Sequence, residues 1–146
     1  MEEVLSEFIT YASARTTPEN RQIVLGPVPL AVIERIAGEN GIDLNEYVFT
    51  IDVYAIRHIL KSHGNATKEE ARGQRAVTAE DFSLIHQIVT EPDVVFYDGK
   101  NRIGRDVIQF QKRIGDRYII LKEVRTGRKQ LALNSMRIIK ARRSQG

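Results

Sequence analysis

The sequence predicts an α+β fold in which N-terminal helices pack on a four-stranded antiparallel β-sheet. In the first two thirds of the chain, apolar residues recur every three or four positions, which is typical of amphipathic helices. From residue 94 onward they alternate with polar residues, which is typical of strands with one buried face. Short turn sequences separate the alternating runs, as an antiparallel meander requires.

Four helices are predicted in the first part, with boundaries set by capping residues. They cover residues 2–14, Pro29 to Gly38, 53–63 and 79–91. Asp52 is a favourable N-cap for the third helix, and Gly64 suits a left-handed residue at its end. Thr78 and Asp81 form a variant of the capping box at the start of the fourth helix. Two short segments between the helices are prone to form strands, namely 21–28 and 47–51.

The last third of the chain is predicted to form the four strands of the sheet. These are expected at about 94–97, 106–114, 117–125 and 130–139. The length of 146 residues, 42% of them hydrophobic, suits one domain with a single core. We divide this domain into a helical extension (1–22), a core unit (23–139) and a frayed basic tail (140–146).

The composition excludes several classes of site. The chain has no cysteine, so it has neither a disulfide framework nor a thiolate zinc site. It contains no HExxH pattern and no apolar stretch near the ~18 residues that a transmembrane helix needs. Nothing in it resembles a signal peptide. We therefore expect no metal, no cofactor and no membrane contact, and a location in the cytoplasm, or in that of a cell that the protein enters.

Charge is distributed very unevenly along the sequence. Residues 1–99 carry 8 Lys and Arg against 16 Asp and Glu, a net charge of −8. Residues 100–146 carry 14 Lys and Arg against 3 Asp and Glu, a net charge of +11. A basic block is often only a solvated face of the protein. The alternative is a surface that binds a polyanion such as nucleic acid.

Two histidines near the end of the third predicted helix are candidates for acid–base chemistry. On an ideal helix His58 and His63 point about 140° apart, which argues against a shared metal ion. His58 falls on the polar side, near Lys61, where an imidazole can exchange protons at neutral pH. The alternatives are an ordinary surface histidine at 58 and a helix-end histidine at 63 that packs against the core. We interpret His86 as structural.

Three polar residues end rows of otherwise apolar residues on the predicted strands. Alternation places Lys112 in line with Ile108 and Phe110, and it places Arg125 and Ser135 at the ends of two further rows. Such residues can line a cleft where the sheet meets the histidine helix, and there stabilise charge on a phosphorus centre. The alternative is that they are strand-end residues emerging into water.

An ordered series of short motifs resembles a known family. The series is His58-x-x-Lys61-x-His63-Gly64, Glu69-Glu70, Arg72-Gly73-Gln74, Val77-Thr78-x-Glu80-Asp81-Phe82, Pro92-Asp93, Ile108-x-Phe110-x-Lys112, Tyr118, Glu123-Val124-Arg125 and Leu131-x-Leu133-x-Ser135-Met136. Over residues 23–139 it is similar to the phage-associated barnase–EndoU–colicin–RelE-like nuclease domains. Two departures are Ser135, where threonine is common, and His86, where we expected a proline.

The resemblance implies a metal-independent endoribonuclease of phage or mobile-element origin, with toxin-like relatives. It implies cleavage by attack of the ribose 2′-hydroxyl, in a site between the helices and the sheet. The catalytic residues that it assigns are His58, His63, Lys112, Arg125 and Ser135. We further expect substrate phosphates to bind at Lys61, Arg113, Lys122 and Lys129. The expected partners are RNA, including tRNA or other structured RNA, and an acidic immunity or antitoxin protein.

A non-catalytic role is the alternative to this function. A nucleic-acid-binding or phage structural module needs the basic sheet but does not need two titratable histidines. The presence of His58 and His63 on the predicted helix therefore favours the enzyme.

Overall fold

The computed structural model describes residues 2–14 and 18–141. Within these ranges six helices, α1 to α6, span Glu2–Ala12, Leu30–Asn40, Val53–His63, Ala66–Ala71, Ala79–Phe82 and Ile85–Thr90. The strands β1 to β7 span Gln22–Pro27, Val48–Asp52, Gln74–Arg75, Val94–Lys100, Asp106–Ile114, Asp116–Arg125 and Gln130–Ile139. The predicted frayed tail lies, from residue 142 onward, outside the described residues.

The sheet confirms the α+β class but is larger than predicted. The four predicted strands are present as β4 to β7, paired antiparallel in sequence order. They are extended by β1 and β2, and β2 pairs with β7 in parallel, so that the order is β1-β2-β7-β6-β5-β4. The short strand β3 pairs with the far end of β7. The described sheet therefore has seven strands, and the prediction of four was wrong.

Helices α3 and α6 pack on the sheet, α2 packs against β4, and α1 packs against α3 and α5. At the centre, the rings of Phe49 and Phe110 meet edge to face with centroids 5.6 Å apart, and both side chains are fully buried. Leu5 of α1, Ile56 of α3 and Ile88 of α6 belong to the same buried cluster. In the described ranges, no helix has the length and apolar character needed to cross a bilayer.

The single helix predicted for 79–91 is divided into α5 and α6. Asp81 accepts hydrogen bonds from the backbone N–H and the hydroxyl of Thr78, at 2.8 and 3.1 Å, which confirms the predicted capping contact. The backbone amides of Ser83 and Leu84 bond to carbonyls three residues back, whereas an α-helix uses the carbonyl four residues back. These tighter turns end α5, and α6 begins at Ile85.

A partly buried ion-pair network ties β3 and α5 to the sheet, and its residues do not line the cavity described below. The guanidinium of Arg75 bonds to Asp81 at 2.7 Å and to Asp116 at 3.0 Å. Tyr118 donates its hydroxyl to Asp81 at 2.8 Å, and burial together with this bond raises the pKa of Tyr118 to about 12. Since every charge here is paired within the protein, we interpret the network as structural.

Gly64 ends α3 for a different reason from the one predicted. Its φ of −92° is not left-handed. A Cβ at this position would instead lie 2.2 Å from the carbonyl oxygen of Leu60, so that only glycine fits.

We therefore expect Gly64→Ala to lower the free energy of unfolding by about 1–3 kcal/mol, because the Leu60 carbonyl is backbone and cannot move aside cheaply. Urea denaturation measures this. The control is Gly38→Ala in α2, where an added Cβ meets no atom within 4 Å and the change should be neutral or mildly stabilising. Equal stability of the two variants would contradict the steric argument.

Candidate active site

A cavity of about 720 Å³ opens where the start of α3, the β4–β5 loop and strands β6 and β7 meet. From β2 and α3 it is lined by Asp52, Tyr54, Ala55 and His58, and from the loop by Asn101, Arg102, Ile103 and Arg105. The strands contribute Glu123, Arg125, Leu133, Asn134 and Ser135. Three arginines and one histidine thus face two carboxylates in one concave site.

The start of α3 places Tyr54 and His58 at this cavity. The helix follows β2 without a loop, and Asp52 accepts a hydrogen bond from the N–H of Ala55 at 2.7 Å, as the predicted N-cap. The apolar side of α3 is buried, which turns Tyr54 and His58 outward, one helical turn apart. Their rings lie nearly parallel, 10° between planes, with centroids 5.7 Å apart.

Glu123 orients two of the three arginines of the cavity, Arg105 and Arg125. Its carboxylate, almost completely buried, accepts hydrogen bonds from Arg125 at 2.9 Å, from Arg105 at 3.0 Å and from Asn101 at 2.7 Å. Burial raises the pKa of Glu123, but these three bonds outweigh the effect and hold the pKa below its usual value. Arg125 also lies 3.6 Å from Asp52. Both guanidiniums are therefore oriented before any ligand binds.

A β-bulge in β7 brings Asn134 and Ser135 to the cavity together. Leu121 pairs with Ser135, but the next residue of β6 pairs with Leu133, so Asn134 is an extra residue in β7. The bulge reverses the alternation along the strand. Strict alternation predicts that the row ending at Ser135 contains Leu133. This prediction is wrong, because Ser135 faces the side of the sheet that carries Leu121.

A second cavity, of about 470 Å³, adjoins the first. Arg105 and Arg125 line both, and the second is completed by Val124, Thr126, Gly127 and Arg128 at the turn before β7. The two cavities together are lined by four arginines and two carboxylates, so arginines predominate among their charged residues.

Of the five residues predicted to be catalytic, the structure brings three together. His58, Arg125 and Ser135 line the same cavity. His63 does not, because its Nδ1 lies 3.3 Å from the fully buried carboxylate of Glu69. Lys112 does not either, because its Nζ donates to the carbonyl of Glu91 at 2.6 Å.

The four predicted phosphate-binding residues lie outside the cavity lining. Lys61, Arg113 and Lys129 are exposed elsewhere, and Lys129 pairs with Glu46 at 2.6 Å. Lys122 is fully buried, and its Nζ donates to the carbonyl of Thr50 at 2.8 Å. Burial lowers the pKa of Lys122 to about 7, although Asp52 opposes this effect. The expectation that Lys122 contacts substrate is thus wrong in this structure.

Sequence reasoning missed the loop residues of the cavity. Asn101, Arg102, Ile103 and Arg105 belong to a connection that the sequence indicates only as a hairpin turn. The available signal was the spacing of Arg102 and Arg105 around Ile103, two cations and an apolar side chain in one five-residue turn.

The cavity contains the groups that phosphodiester cleavage needs. His58 can exchange a proton, the guanidiniums of Arg105 and Arg125 can bind phosphate oxygens, and the hydroxyl of Ser135 can donate a hydrogen bond. Among the residues that the structure describes, no group of three or more His, Asp or Glu side chains is placed to hold a metal ion.

Comparison with known proteins identifies the family of the chain. No curated protein and no solved structure matches the chain. Residues 30–145, from α2 onward, match the family described as phage-Barnase-EndoU-ColicinE5/D-RelE like nuclease3. This match confirms the predicted resemblance and covers well over half of the sequence. The chain therefore belongs to the phage-associated barnase–EndoU–colicin E5/D–RelE-like nuclease family.

Proposed function

We propose that this nuclease is an endoribonuclease that cleaves RNA by transesterification, without a metal ion. The observation that carries the proposal is that His58, Arg125 and Ser135 line one cavity with two further arginines. A proton acceptor beside fixed cations and a hydroxyl donor suits attack of a ribose 2′-oxygen on the adjacent phosphorus.

In the proposed reaction, the 2′-hydroxyl loses its proton to the imidazole of His58 as the 2′-oxygen bonds to phosphorus. The bond from phosphorus to the 5′-oxygen breaks, and the 5′-oxygen takes a proton from water. The products are a 2′,3′-cyclic phosphate and a 5′-hydroxyl. His63, which was expected to complement His58, lies outside the cavity and is assigned no step.

The negative charge that develops on the phosphorane is stabilised by Arg125 and Arg105. Glu123 holds both guanidiniums, at 2.9 and 3.0 Å, so they need little reorganisation when the transition state forms. We assign Ser135, half-buried in the β7 bulge, to bind a non-bridging phosphate oxygen.

The basic C-terminal third supports RNA as the substrate, and tRNA and other structured RNAs are the candidates to test. We further propose that the protein acts in the cytoplasm of the cell it reaches. An acidic immunity or antitoxin protein would bind the surface of Arg105, Arg125 and Arg128 by charge complementarity.

Incubation with total RNA and with a defined tRNA, in the presence of EDTA, tests the proposal. We expect cleavage that EDTA does not reduce, products ending in a 2′,3′-cyclic phosphate, and no cleavage of DNA, which lacks the 2′-hydroxyl. Loss of cleavage in EDTA with rescue by Mg²⁺ would overturn the metal-independent mechanism. Salt-dependent binding of RNA without any cleaved product would favour a non-catalytic binding protein instead.

A further inference from the structure

We propose that the cavity binds one unpaired nucleobase, stacked on Tyr54 and covered by Ile103 of the β4–β5 loop. The inference rests on the proposed function, since it identifies the part of an RNA that the site selects. It makes Tyr54 and Ile103 binding residues and requires the nucleotide at the site to be single-stranded or in a loop.

The first observation is the exposure of Tyr54. Its side chain is 56% exposed although it lines the cavity, and large apolar rings are usually more buried. The ring lies parallel to that of His58, with centroids 5.7 Å apart. The two rings together form an aromatic surface that leads to the residue assigned to proton transfer. A base stacked on Tyr54 would therefore place its own ribose near His58.

The second observation is the exposure of Ile103 across the same cavity. It is 68% exposed, more than any other large hydrophobic side chain in the described ranges. The loop that carries Ile103 is held by two hydrogen bonds between Asn101 and Arg105. Asn101 donates to the Arg105 carbonyl at 2.9 Å, and its side chain accepts from the Arg105 N–H at 3.0 Å. The loop thus holds an apolar side chain in water, where an aromatic ligand would cover it.

The third observation is the pattern of charge around these apolar residues. Arg102 and Arg105 lie on either side of Ile103 in the same loop, and both line the cavity. A nucleotide presents a flat base and an anionic phosphate a few ångströms apart, and the cavity offers an apolar surface and guanidiniums in one concave site. A base inside a duplex is already stacked on both faces and cannot use it.

The test uses a short 2′-O-methyl oligoribonucleotide that contains 2-aminopurine and cannot be cleaved at the 2′-oxygen. Stacking of 2-aminopurine on Tyr54 should quench its fluorescence. We expect Tyr54→Ala to weaken binding by about 5- to 150-fold and to remove the quenching, because stacking on an aromatic side chain supplies that much affinity per base. Tyr54→Phe, which keeps the ring, should retain both, and Ile103→Ala should weaken binding to a smaller extent.

Tyr11→Ala on α1 is the matched control, since Tyr11 is similarly exposed but lies outside the cavity. It should bind the oligonucleotide as the unaltered protein does, and the same sequence in a duplex should show no dependence on Tyr54. Binding and quenching that are unchanged in Tyr54→Ala would overturn the inference. This test measures binding only, so its result can be interpreted even if the proposed reaction fails. If the protein cleaves RNA in the separate assay but Tyr54→Ala binds the oligonucleotide unchanged, the base site alone is refuted.

Discussion

Replacing His58 with alanine is expected to reduce RNA cleavage by about 10²–10⁴-fold, the contribution of a positioned general base. The imidazole lines the cavity, while the rest of the cationic site is held by Glu123 without it. His58 is exposed on the outward side of α3, so its removal should leave the fold intact. Initial rates at substrate concentrations well below KM measure the effect, and circular dichroism and the denaturation midpoint verify the fold.

Two other histidine variants make this prediction specific. His86→Ala, on α6 and outside the cavity, should cleave RNA at the normal rate. His63→Ala should also retain cleavage, but it should be less stable, because it leaves the buried carboxylate of Glu69 with only Arg72 as its remaining ion-pair partner. If His58→Ala folded and cleaved normally while His63→Ala did not, the roles of the two histidines would have to be exchanged.

The parts of the fold that were predictable depend on local sequence. The strands β4 to β7 and helix α3 are each defined by periodicity and by neighbouring turn or capping residues, and they lie close to their predicted positions. The parallel pairing of β2 with β7 joins residues about 80 positions apart, and no local pattern encodes it. Two strand-prone segments were recognised, but their place in the sheet was not.

The same contrast between local pattern and long-range packing explains which residues of the candidate site could be predicted. His58 and Arg125 were found because residue type and position on one element indicated their chemistry. The mistaken row through Ser135 has a specific cause, since the bulge at Asn134 shifts the alternation and a two-residue period cannot reveal it. Lys112 was misplaced because alternation gives the face of a strand but not the neighbour that its ammonium meets, here the Glu91 carbonyl.

Lys122 shows a third limit of prediction from sequence, because its side chain is fully buried and cannot meet a substrate phosphate at the surface. Lys122 alternates in phase with Ile120 and Val124 along the sequence, and we expected it to bind a substrate phosphate. In the structure these residues are buried, and the ammonium of Lys122 lies 5.7 Å from the centroid of the Phe49 ring. Lys122 pairs in the sheet with the cavity residue Leu133. This burial affects how the free energy of unfolding depends on pH.

We therefore expect Lys122→Met to change how the stability of the protein depends on pH. Burial lowers the pKa of Lys122 to about 7 in the folded protein, whereas an unfolded chain has a lysine pKa near ~10.4. Between these values the unfolded state binds a proton that the folded state does not. The free energy of unfolding then gains up to about 1.4 kcal/mol per pH unit as pH rises from 7 toward 10. Methionine has a similar shape and no proton, so this contribution disappears.

Urea denaturation at pH 6, 7.5 and 9 measures the effect as the difference between Lys122→Met and the unaltered protein, in which the other titrating groups cancel. Below pH 7 the unaltered protein carries a buried charge, so the variant should be at its most favourable there, offset by the loss of the hydrogen bond from Lys122 to the carbonyl of Thr50. Its relative stability should fall steadily toward pH 9. The control is Lys61→Met, since Lys61 is an exposed lysine on α3 and its replacement shows the effect of losing a surface charge. A difference that stays constant with pH would mean that the ammonium of Lys122 keeps its proton throughout and that water reaches it in solution.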